Sequence, residues 1–302
     1  MSTKTIAYIQ LHICILLFGF TPIFGRYLGD LGYDAPIMVW WRMFLVVLMM
    51  FAMPQVRREV AAMPRDVFMK VAGIGFIVAL HWLFFYGAIV ASNASIGVMC
   101  ISTLAVFTAF IEPLMLGRQL SKREVLFGLM VVPGMALIVR FTMAQYWLGL
   151  GLGIIAAILS AIFSIMNKQM LAKATPLAIM FVEMLSGWLL LCIVVPVYHH
   201  FNPMPRLVPE GWHWWVYIAF AIFSTLIPYI LSLTSLRHIS PFVSNLSFNL
   251  EPVYGVILAA FLFQEHKDLY WGFYVGLGII LAAVFLYPWV QARLEKRNAV
   301  NE

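Results

Sequence analysis

The sequence predicts an all-α, polytopic membrane protein with ten transmembrane helices in two inverted five-helix repeats. Three observations predict this fold: charge is scarce, apolar runs of membrane-spanning length follow one another, and the two halves align at a constant offset. Of the 302 residues, 63% are hydrophobic and 11% are charged, whereas about a quarter of the residues in an average soluble domain are charged. So few charges cannot cover the surface of a soluble protein.

The formal charge of +6 does not indicate nucleic-acid binding. The 19 Lys and Arg residues are scattered among predicted loops and form no basic face. The three cysteines all fall in apolar runs without a CxxC motif, so they are interpreted as small hydrophobic residues. We therefore expect no nucleic-acid partner, no metal and no cofactor.

Ten segments have the roughly 20 mostly apolar residues that a membrane-spanning helix needs. The first is interpreted as a span rather than a signal peptide, because it lacks a small-x-small cleavage site. Breaks in polarity place the ten spans at residues 6–25, 36–53, 68–90, 95–116, 124–140, 147–167, 177–198, 213–235, 241–263 and 270–290.

The distribution of basic residues predicts the orientation of the spans. With a cytoplasmic N-terminus, fourteen Lys and Arg residues lie in interior segments and four in exterior loops, as the positive-inside rule requires. Both termini are then cytoplasmic, and residues 291–302 form a cytoplasmic tail. The exterior stretch "PEGWHWWVY" places three tryptophans at the start of span eight, where amphipathic rings favour the headgroup level.

The two halves of the chain are related by an internal repeat. "TLAVFTAFIEPLMLGR" begins at residue 103 and "LEPVYGVILAAFLFQE" at residue 250, an offset of 250 − 103 = 147 residues, which also aligns Trp82 with Tyr229. Five spans in each half mean that the second half enters the membrane from the opposite side, which predicts an inverted repeat. The predicted domains are residues 6–140 and 147–290.

Three features of the chain are typical of one known family: ten spans in two halves, the "LEPV" of span nine followed by "FQE", and a glycine-bearing last span in each half. In these features the chain resembles the drug/metabolite transporter superfamily, in its EamA-type branch. The first half departs from the family pattern at Ala105 and Arg118, where the family has proline and glutamate. The resemblance covers residues 6–290 and implies alternating-access export of small metabolites, often amino acids or related compounds. We therefore expect an integral protein of the bacterial inner membrane whose partners are a small solute and the lipid bilayer.

The dipeptide Glu-Pro occurs twice in apolar surroundings. Glu251 lies ten residues beyond Pro241, so at about 1.5 Å per residue it should lie about 15 Å deep, near the membrane midplane. Glu112 comes late in a span that enters from outside, which predicts a position at the cytoplasmic rim. Pro252 predicts a kink that frees a backbone carbonyl, which is tolerated beside a cavity.

Polar residues cover about half the circumference of span nine at 100° per residue. This polar face consists of Ser244, Ser247, Glu251, Asn245 and Asn249. It is broader than one helix contact requires and predicts a cavity wall, although polar side chains that only bridge helices remain an alternative. The opposite face, Leu246, Leu250 and Val253, is expected to contact lipid.

Span three carries a second group of candidates. Trp82 and Tyr86 are four residues apart and share a helix face, with His81 beside them, and Tyr229 is the repeat partner of Trp82. Such a wall suits flat or apolar solutes with one or two polar groups. Alternatively, the rings serve packing or the interfacial belt.

Arg42 and Glu183 occupy matching positions in the two halves. They are expected about 10 Å deep from opposite faces, too far apart to pair. Arg42 could bind a substrate carboxylate through its planar fork, or could snorkel to the exterior. Glycines at small-xxx-small spacing are expected to allow close helix packing; these are Gly149, Gly153, Gly272 and Gly276.

Two other functional classes are weaker alternatives. A membrane-embedded enzyme would rest on "YHHF" and "EHKD", but neither has metal-ligand spacing such as HExxH. A non-transporting interaction protein would lack any soluble domain, long tail or coiled coil with which to bind a partner. We therefore expect no enzymatic activity. The candidate substrate-binding residues are His81, Trp82, Tyr86, Tyr229, Asn245, Asn249, Glu251 and Arg42.

Overall fold

The computed structural model describes residues 2–92, 100–139, 147–251, 253–254 and 271–301. The kink predicted at Pro252 lies outside these residues. In the described part, helix is the regular secondary structure. The α-helices are α1 Thr3–Phe18, α2 Thr21–Asp30, α3 Ala35–Phe51, α4 Pro54–Ala61, α5 Arg65–Ala91, α6 Leu104–Leu116, α7 Lys122–Val139, α8 Trp147–Met170, α9 Pro176–Phe201, α10 His213–Ala221, α11 Ile227–Leu236, α12 Pro241–Ser247 and α13 Trp271–Asn301.

Six described helical segments are long and apolar enough to cross a membrane, and a bent pair, α3 with α4 at 90°, raises the number to seven. Cys100–Leu116 is a shorter apolar helix. Each of the ten predicted spans contains helix within the described residues, so the fold is all-α and compatible with ten spans. The six segments are Thr3–Asp30, Arg65–Ala91, Trp147–Met170, Pro176–Phe201, His213–Leu236 and Tyr274–Gln291.

Span eight is not a regular helix throughout. A π-helical turn, Ile222–Leu226, separates α10 from α11. Pro228 lies in the first turn of α11 and has no N–H, so the carbonyl of Ser224, four residues earlier, has no helical donor. Such π-turns are frequent at functional sites, and this one leaves a carbonyl oxygen free for another partner.

Two clusters of buried apolar side chains hold the helices together. The first core joins α3, α5 and part of α8 with α9, α10 and α11, for example through Val39, Ile74, Met180 and Phe220. The second core joins α1, α6 and α7 with α12 and α13, for example through Leu11, Ala109, Val131, Leu246 and Ile280. Each core therefore combines helices from both halves of the chain.

The lipid-facing side expected for span nine is wrong. Leu246, Leu250 and Val253 are all buried, and the first two belong to the second core. A helical wheel separates polar from apolar faces, but neighbouring helices and lipid are equally apolar. The wheel therefore could not tell a helix contact from a lipid contact.

The packing role predicted for the glycines of α8 is confirmed. A Cβ atom on Gly149 would lie 2.6 Å from the Cβ of Ser92, and one on Gly153 would lie 2.5 Å from the Cβ of Cys100. Real Cβ atoms do not approach this closely, so glycine permits α8 to pack directly against the end of α5 and the segment before α6.

Candidate functional site

A central cavity of about 120 Å³ is lined by helices of both cores. All eight residues selected from the sequence line it. Its other lining residues are Phe18, Thr21, Phe85, Ile101, Ser102, Leu104, Ser160, Phe163, Ser164, Asn167, Ser232, Leu233, Leu236, Ser244 and Phe248. The cavity is therefore lined both by aromatic rings and by at least as many polar side chains, most of them serines and asparagines.

Arg42 of α3 is the buried cation of the cavity. Its Nη1 donates to Tyr86 Oη at 2.9 Å, its Nη2 donates to the carbonyl of Ser224 at 3.2 Å, and its Nε donates to the hydroxyl of Thr225. The carbonyl is the one that Pro228 leaves without a helical donor. The proline four residues beyond Ser224 therefore leaves the Ser224 carbonyl oxygen free to accept a hydrogen bond from Arg42.

Aromatic rings fix the plane of the Arg42 guanidinium. Its central carbon lies 3.9 Å from the centroid of the Trp82 ring and 4.7 Å from that of Phe220, both within cation–π range. Because Arg42 is only 1% exposed and its contacts are internal, it does not snorkel to the exterior. No carboxylate among the described residues lies within ion-pair distance of it.

Glu251 is the acidic counterpart on the cavity wall. It follows a short 3₁₀ turn, Phe248–Leu250, at the end of α12. Within the described part of the chain, no group donates a hydrogen bond to it and no cation pairs with it. Arg42 does lie within electrostatic range of Glu251. Arg42 and Glu251 thus share the cavity lining without forming a direct ion pair.

The two asparagines of the polar face differ in how fully they are bonded. Asn245 donates to Thr108 Oγ1 at 2.8 Å and accepts from Ser164 Oγ at 3.1 Å, so it bridges α6 and α8 as the structural alternative predicted. Asn249 donates to the carbonyl of Leu246 at 2.9 Å, but its buried Oδ1 has no hydrogen-bond partner. Asn249 therefore retains an acceptor that a solute could use.

His81 has a defined hydrogen bond on one side of its ring. Its Nδ1 lies 2.8 Å from the carbonyl oxygen of Ala156, so Nδ1 carries a proton and donates. In the neutral ring Nε2 is then an acceptor. The ring also packs edge-on against Phe163 at 5.4 Å between centroids, which fixes its position on the wall.

Sequence reasoning missed several residues that complete the site. Thr225 and the carbonyl of Ser224 accept hydrogen bonds from Arg42. The sequence signal for the free carbonyl was Pro228, which lies four residues beyond Ser224 and has no N–H to donate to it. Glu183 was noted only for its depth, yet Tyr229 Oη donates to its Oε2 at 2.8 Å. Asn167, whose side chain contacts both Glu183 and Tyr229, gave no signal beyond being polar in an apolar run.

A second polar group, which we call the rim cluster, lies outside the cavity and consists of Glu112, Arg118, Glu124 and Tyr287. Arg118 Nη2 lies 3.4 Å from Glu112 Oε1 and 2.5 Å from Glu124 Oε2. Tyr287 donates to Glu124 Oε1 at 3.3 Å. Glu112 Oε2 accepts from the backbone N–H of Phe242 at 3.0 Å, so the rim cluster connects α6 and α7 to the starting turn of α12 and to α13.

The described residues contain no group of three or more His, Cys, Asp or Glu side chains placed to hold a metal ion. A bundle of apolar helices around an internal cavity, lined by the buried Arg42 and the half-buried Glu251, is the architecture of an α-helical integral membrane protein. The family model described as "EamA-like transporter family" matches this chain twice, over residues 5–140 and 147–288. The chain belongs to the EamA-like transporter family, and the predicted resemblance is confirmed.

Members of this family are transporters, so the protein is a membrane transporter of the drug/metabolite type. A solved structure described as "Crystal structure of protein" is similar to this chain, with a TM-score of 0.74 and 16% sequence identity over 96% of this chain and 98% of that one. At this identity the similarity establishes the fold alone. No curated protein matches the sequence.

Proposed function

We propose that the protein exports small zwitterionic metabolites, amino acids or related compounds with a flat or apolar side chain, by alternating access through the central cavity. The observation that carries this proposal is that the cavity lining contains both the buried Arg42 and the half-buried Glu251, neither of which has an ion-pair partner among the described residues. Uncompensated charge inside a membrane protein is expensive and marks a functional site.

Arg42 is the proposed partner of the solute carboxylate. An arginine side chain has five N–H donors, and three of them are used by Tyr86, Ser224 and Thr225, which leaves 5 − 3 = 2. The planar guanidinium is held between aromatic faces, so little freedom is lost when an anion binds. A carboxylate is the common anion whose geometry matches this planar donor group.

Glu251 is the proposed partner of the solute ammonium group. A zwitterion places an anion at Arg42 and a cation at Glu251, so both protein charges are compensated at once. A solute with one charge would leave the other protein charge without a partner, at a cost of roughly 1–3 kcal/mol or more. The aromatic wall, including Trp82, Phe85 and Phe163, then accepts the side chain.

The test is uptake of radiolabelled phenylalanine into proteoliposomes, in competition with unlabelled analogues. Phenylalanine should compete roughly 10–150-fold better than its methyl ester, which lacks the carboxylate, or than 3-phenylpropionate, which lacks the ammonium group, because each lost charged hydrogen bond is worth about 1.5–3 kcal/mol. Arg42→Lys should keep the charge but lose the planar fork and weaken this preference. Equal competition by all three compounds on the wild type would refute zwitterion recognition.

The proposed location is the bacterial inner membrane with both termini in the cytoplasm, supported by the fourteen-to-four distribution of basic residues. Reporter fusions after Gln55, Gln119 and Lys173 should report cytoplasm, and fusions within residues 199–210 should report the exterior. The inverted repeat requires both halves to follow this pattern. A reversal in one half alone would contradict it.

A further inference from the structure

A carboxylic acid lies behind the cavity wall, separate from Glu251. Glu183 of α9 is 0% exposed. It is covered by Tyr229 and Asn167, both of which line the cavity. Tyr229 Oη donates to Glu183 Oε2 at 2.8 Å, and the Asn167 side chain contacts both residues. The side chains of Tyr229 and Asn167 therefore lie between Glu183 and the cavity.

Two buried oxygen atoms in this group, Glu183 Oε1 and Asn167 Oδ1, have no hydrogen-bond partner in the part of the chain that the structure describes. Asn167 is 1% exposed. Buried polar atoms are nearly always hydrogen-bonded, and an ionised carboxylate can only accept. A protonated Glu183 has an O–H that can donate to a neighbouring acceptor, and the Asn167 side chain is in contact with Glu183.

No cation replaces that proton within the described residues. Lys, Arg and His side chains there make no ion pair with Glu183, and Tyr229 of α11 is the titratable group in contact with it. Glu59 of the neighbouring α4 accepts from Thr175 at the start of α9. The cationic or titratable groups of the other helices around α9 bond elsewhere: Arg42 of α3 to Tyr86, His81 of α5 to the carbonyl of Ala156, and Lys168 of α8 to the carbonyl of Leu236.

We propose that Glu183 is a proton-binding site and that Asn167 couples its proton to the solute. This inference rests on the proposed export function. When Glu183 is protonated, its O–H donates to the amide oxygen of Asn167, and the amide NH₂ is available to the cavity. When Glu183 loses the proton to cavity water, the amide turns, its NH₂ donates to the carboxylate, and its oxygen is available to the cavity. The proton thus decides whether Asn167 offers the solute a donor or an acceptor.

The first experiment detects the proton without any solute. Infrared difference spectra of the reconstituted full chain, recorded while the pH is changed, should contain the C=O stretching band of a protonated carboxylic acid. Glu183→Gln should lose this band, since glutamine still accepts from Tyr229 but cannot hold the proton. Glu112→Gln, which removes a carboxyl of the rim cluster, should retain it. Identical spectra for wild type and Glu183→Gln would overturn the proposal.

A second spectrum tests the role of Asn167. Asn167→Leu removes the oxygen that the acid O–H is proposed to bond, so the band should shift to the frequency of a free acid. Melting temperatures in detergent identify any variant that has simply failed to fold. An unshifted band in folded Asn167→Leu would show that Asn167 does not share the proton, and would overturn the coupling.

Transport measurements separate this inference from the proposed function. In wild-type proteoliposomes, a lumen more acidic than the bath should drive accumulation of radiolabelled phenylalanine. Glu183→Gln should lose that accumulation but keep counterflow of phenylalanine at equal pH, which needs no net proton movement. If the wild type neither accumulates nor exchanges phenylalanine, the proposed function is refuted. The infrared spectra would still decide whether Glu183 binds a proton, because they are recorded without solute. If Glu183→Gln accumulates phenylalanine like the wild type, the proton site is refuted while export stands.

A comparison of sodium with choline distinguishes proton binding from metal-cation binding, since Glu183 Oε1 and Asn167 Oδ1 are also the kind of oxygen atoms that bind a metal cation. The melting temperature of the wild type should be the same in sodium and in choline chloride. A rise in sodium that disappears in Glu183→Gln, together with the absence of the acid band, would overturn proton binding in favour of cation binding.

Discussion

Glu112 and Glu251 each precede a proline in an apolar run, yet their surroundings differ completely. Glu112 is 4% exposed and has both oxygens occupied, one by Arg118 and one by the N–H of Phe242. Glu251 lines the cavity and has no hydrogen-bond or ion-pair partner among the described residues. The difference shows that the same dipeptide can place its carboxylate in a network of protein partners, as at Glu112, or on a cavity wall, as at Glu251.

The same contrast extends to the neighbours of the two residues. The rim cluster joins helices. Glu112 accepts a hydrogen bond from the Phe242 N–H in the first turn of α12, and Arg118 connects α6 to α7 through its ion pair with Glu124. In the cavity, by contrast, Arg42 is oriented by Tyr86 and Trp82 and forms no ion pair with Glu251. Mutations in the rim cluster should therefore change stability, and mutations in the cavity should change transport.

Replacement of Glu251 by leucine should have the largest effect. Loss of the charged bond to the solute ammonium group, worth about 1.5–3 kcal/mol, should reduce the initial rate of phenylalanine uptake by roughly 10–150-fold. The melting temperature in detergent should stay near that of the wild type, because Glu251 has no hydrogen-bond or ion-pair partner to lose among the described residues. Glu251→Gln keeps hydrogen bonding without charge and should be intermediate. Wild-type uptake by Glu251→Leu would show that the carboxylate has no role in the cavity.

Replacement of Glu112 by leucine should instead lower stability. The change leaves the N–H of Phe242 and one contact of Arg118 unsatisfied, at about 1–3 kcal/mol, which denaturant titration in detergent should measure. Glu112→Gln should lose less, because its amide oxygen can still accept from Phe242. Uptake per folded molecule should be unchanged. If a stable Glu112→Leu variant transports poorly, the division between rim and cavity is wrong.

Removal of the Trp82 ring should alter selectivity more than stability. Trp82→Ala takes away the aromatic face 3.9 Å from Arg42, and cation–π contacts are worth about 0.5–2 kcal/mol. Competition among unlabelled amino acids should therefore change in rank, while folded protein is retained. Trp147→Ala is the matched control, since that ring is 74% exposed at the start of α8 and should leave the rank order intact. An unchanged rank order in Trp82→Ala would assign the ring to packing.

The smallest effect is expected at Arg118. Its side chain is 29% exposed, whereas its partners Glu112 and Glu124 are 5% and 11% exposed. Glutamine can still donate to one of the two carboxylates, so Arg118→Gln should cost about 1 kcal/mol. The loss should diminish in high salt. Arg206→Gln is the control, because its pair with Glu210 is more exposed on both sides and should change stability by still less. A large effect at Arg118 would mean that the rim cluster is less solvated than its exposure indicates.

The candidate site was predictable because ionisable and polar groups in membrane spans are costly unless they face a cavity or a partner. Arg42, His81, Asn245, Asn249 and Glu251 follow from that rule. The rule does not, however, distinguish a polar side chain that faces a cavity from one that bonds to a neighbouring helix. Asn245 proved to bridge α6 and α8, whereas Asn249 retains an unpartnered oxygen.

The sequence by itself determined the membrane class, the helical fold, the family and the residues that carry polarity into the bundle, because these depend on composition, segment length and residue type along one chain. Only the tertiary structure decided that Leu246 and Leu250 contact helices rather than lipid, that Arg42 bonds the carbonyl which Pro228 leaves free, and that Glu183 lies behind Tyr229. These facts depend on which helices become neighbours, and each core combines helices from both halves of the chain. Hydrogen bonding and packing across such long sequence separations leave no local pattern in the sequence from which they could have been predicted.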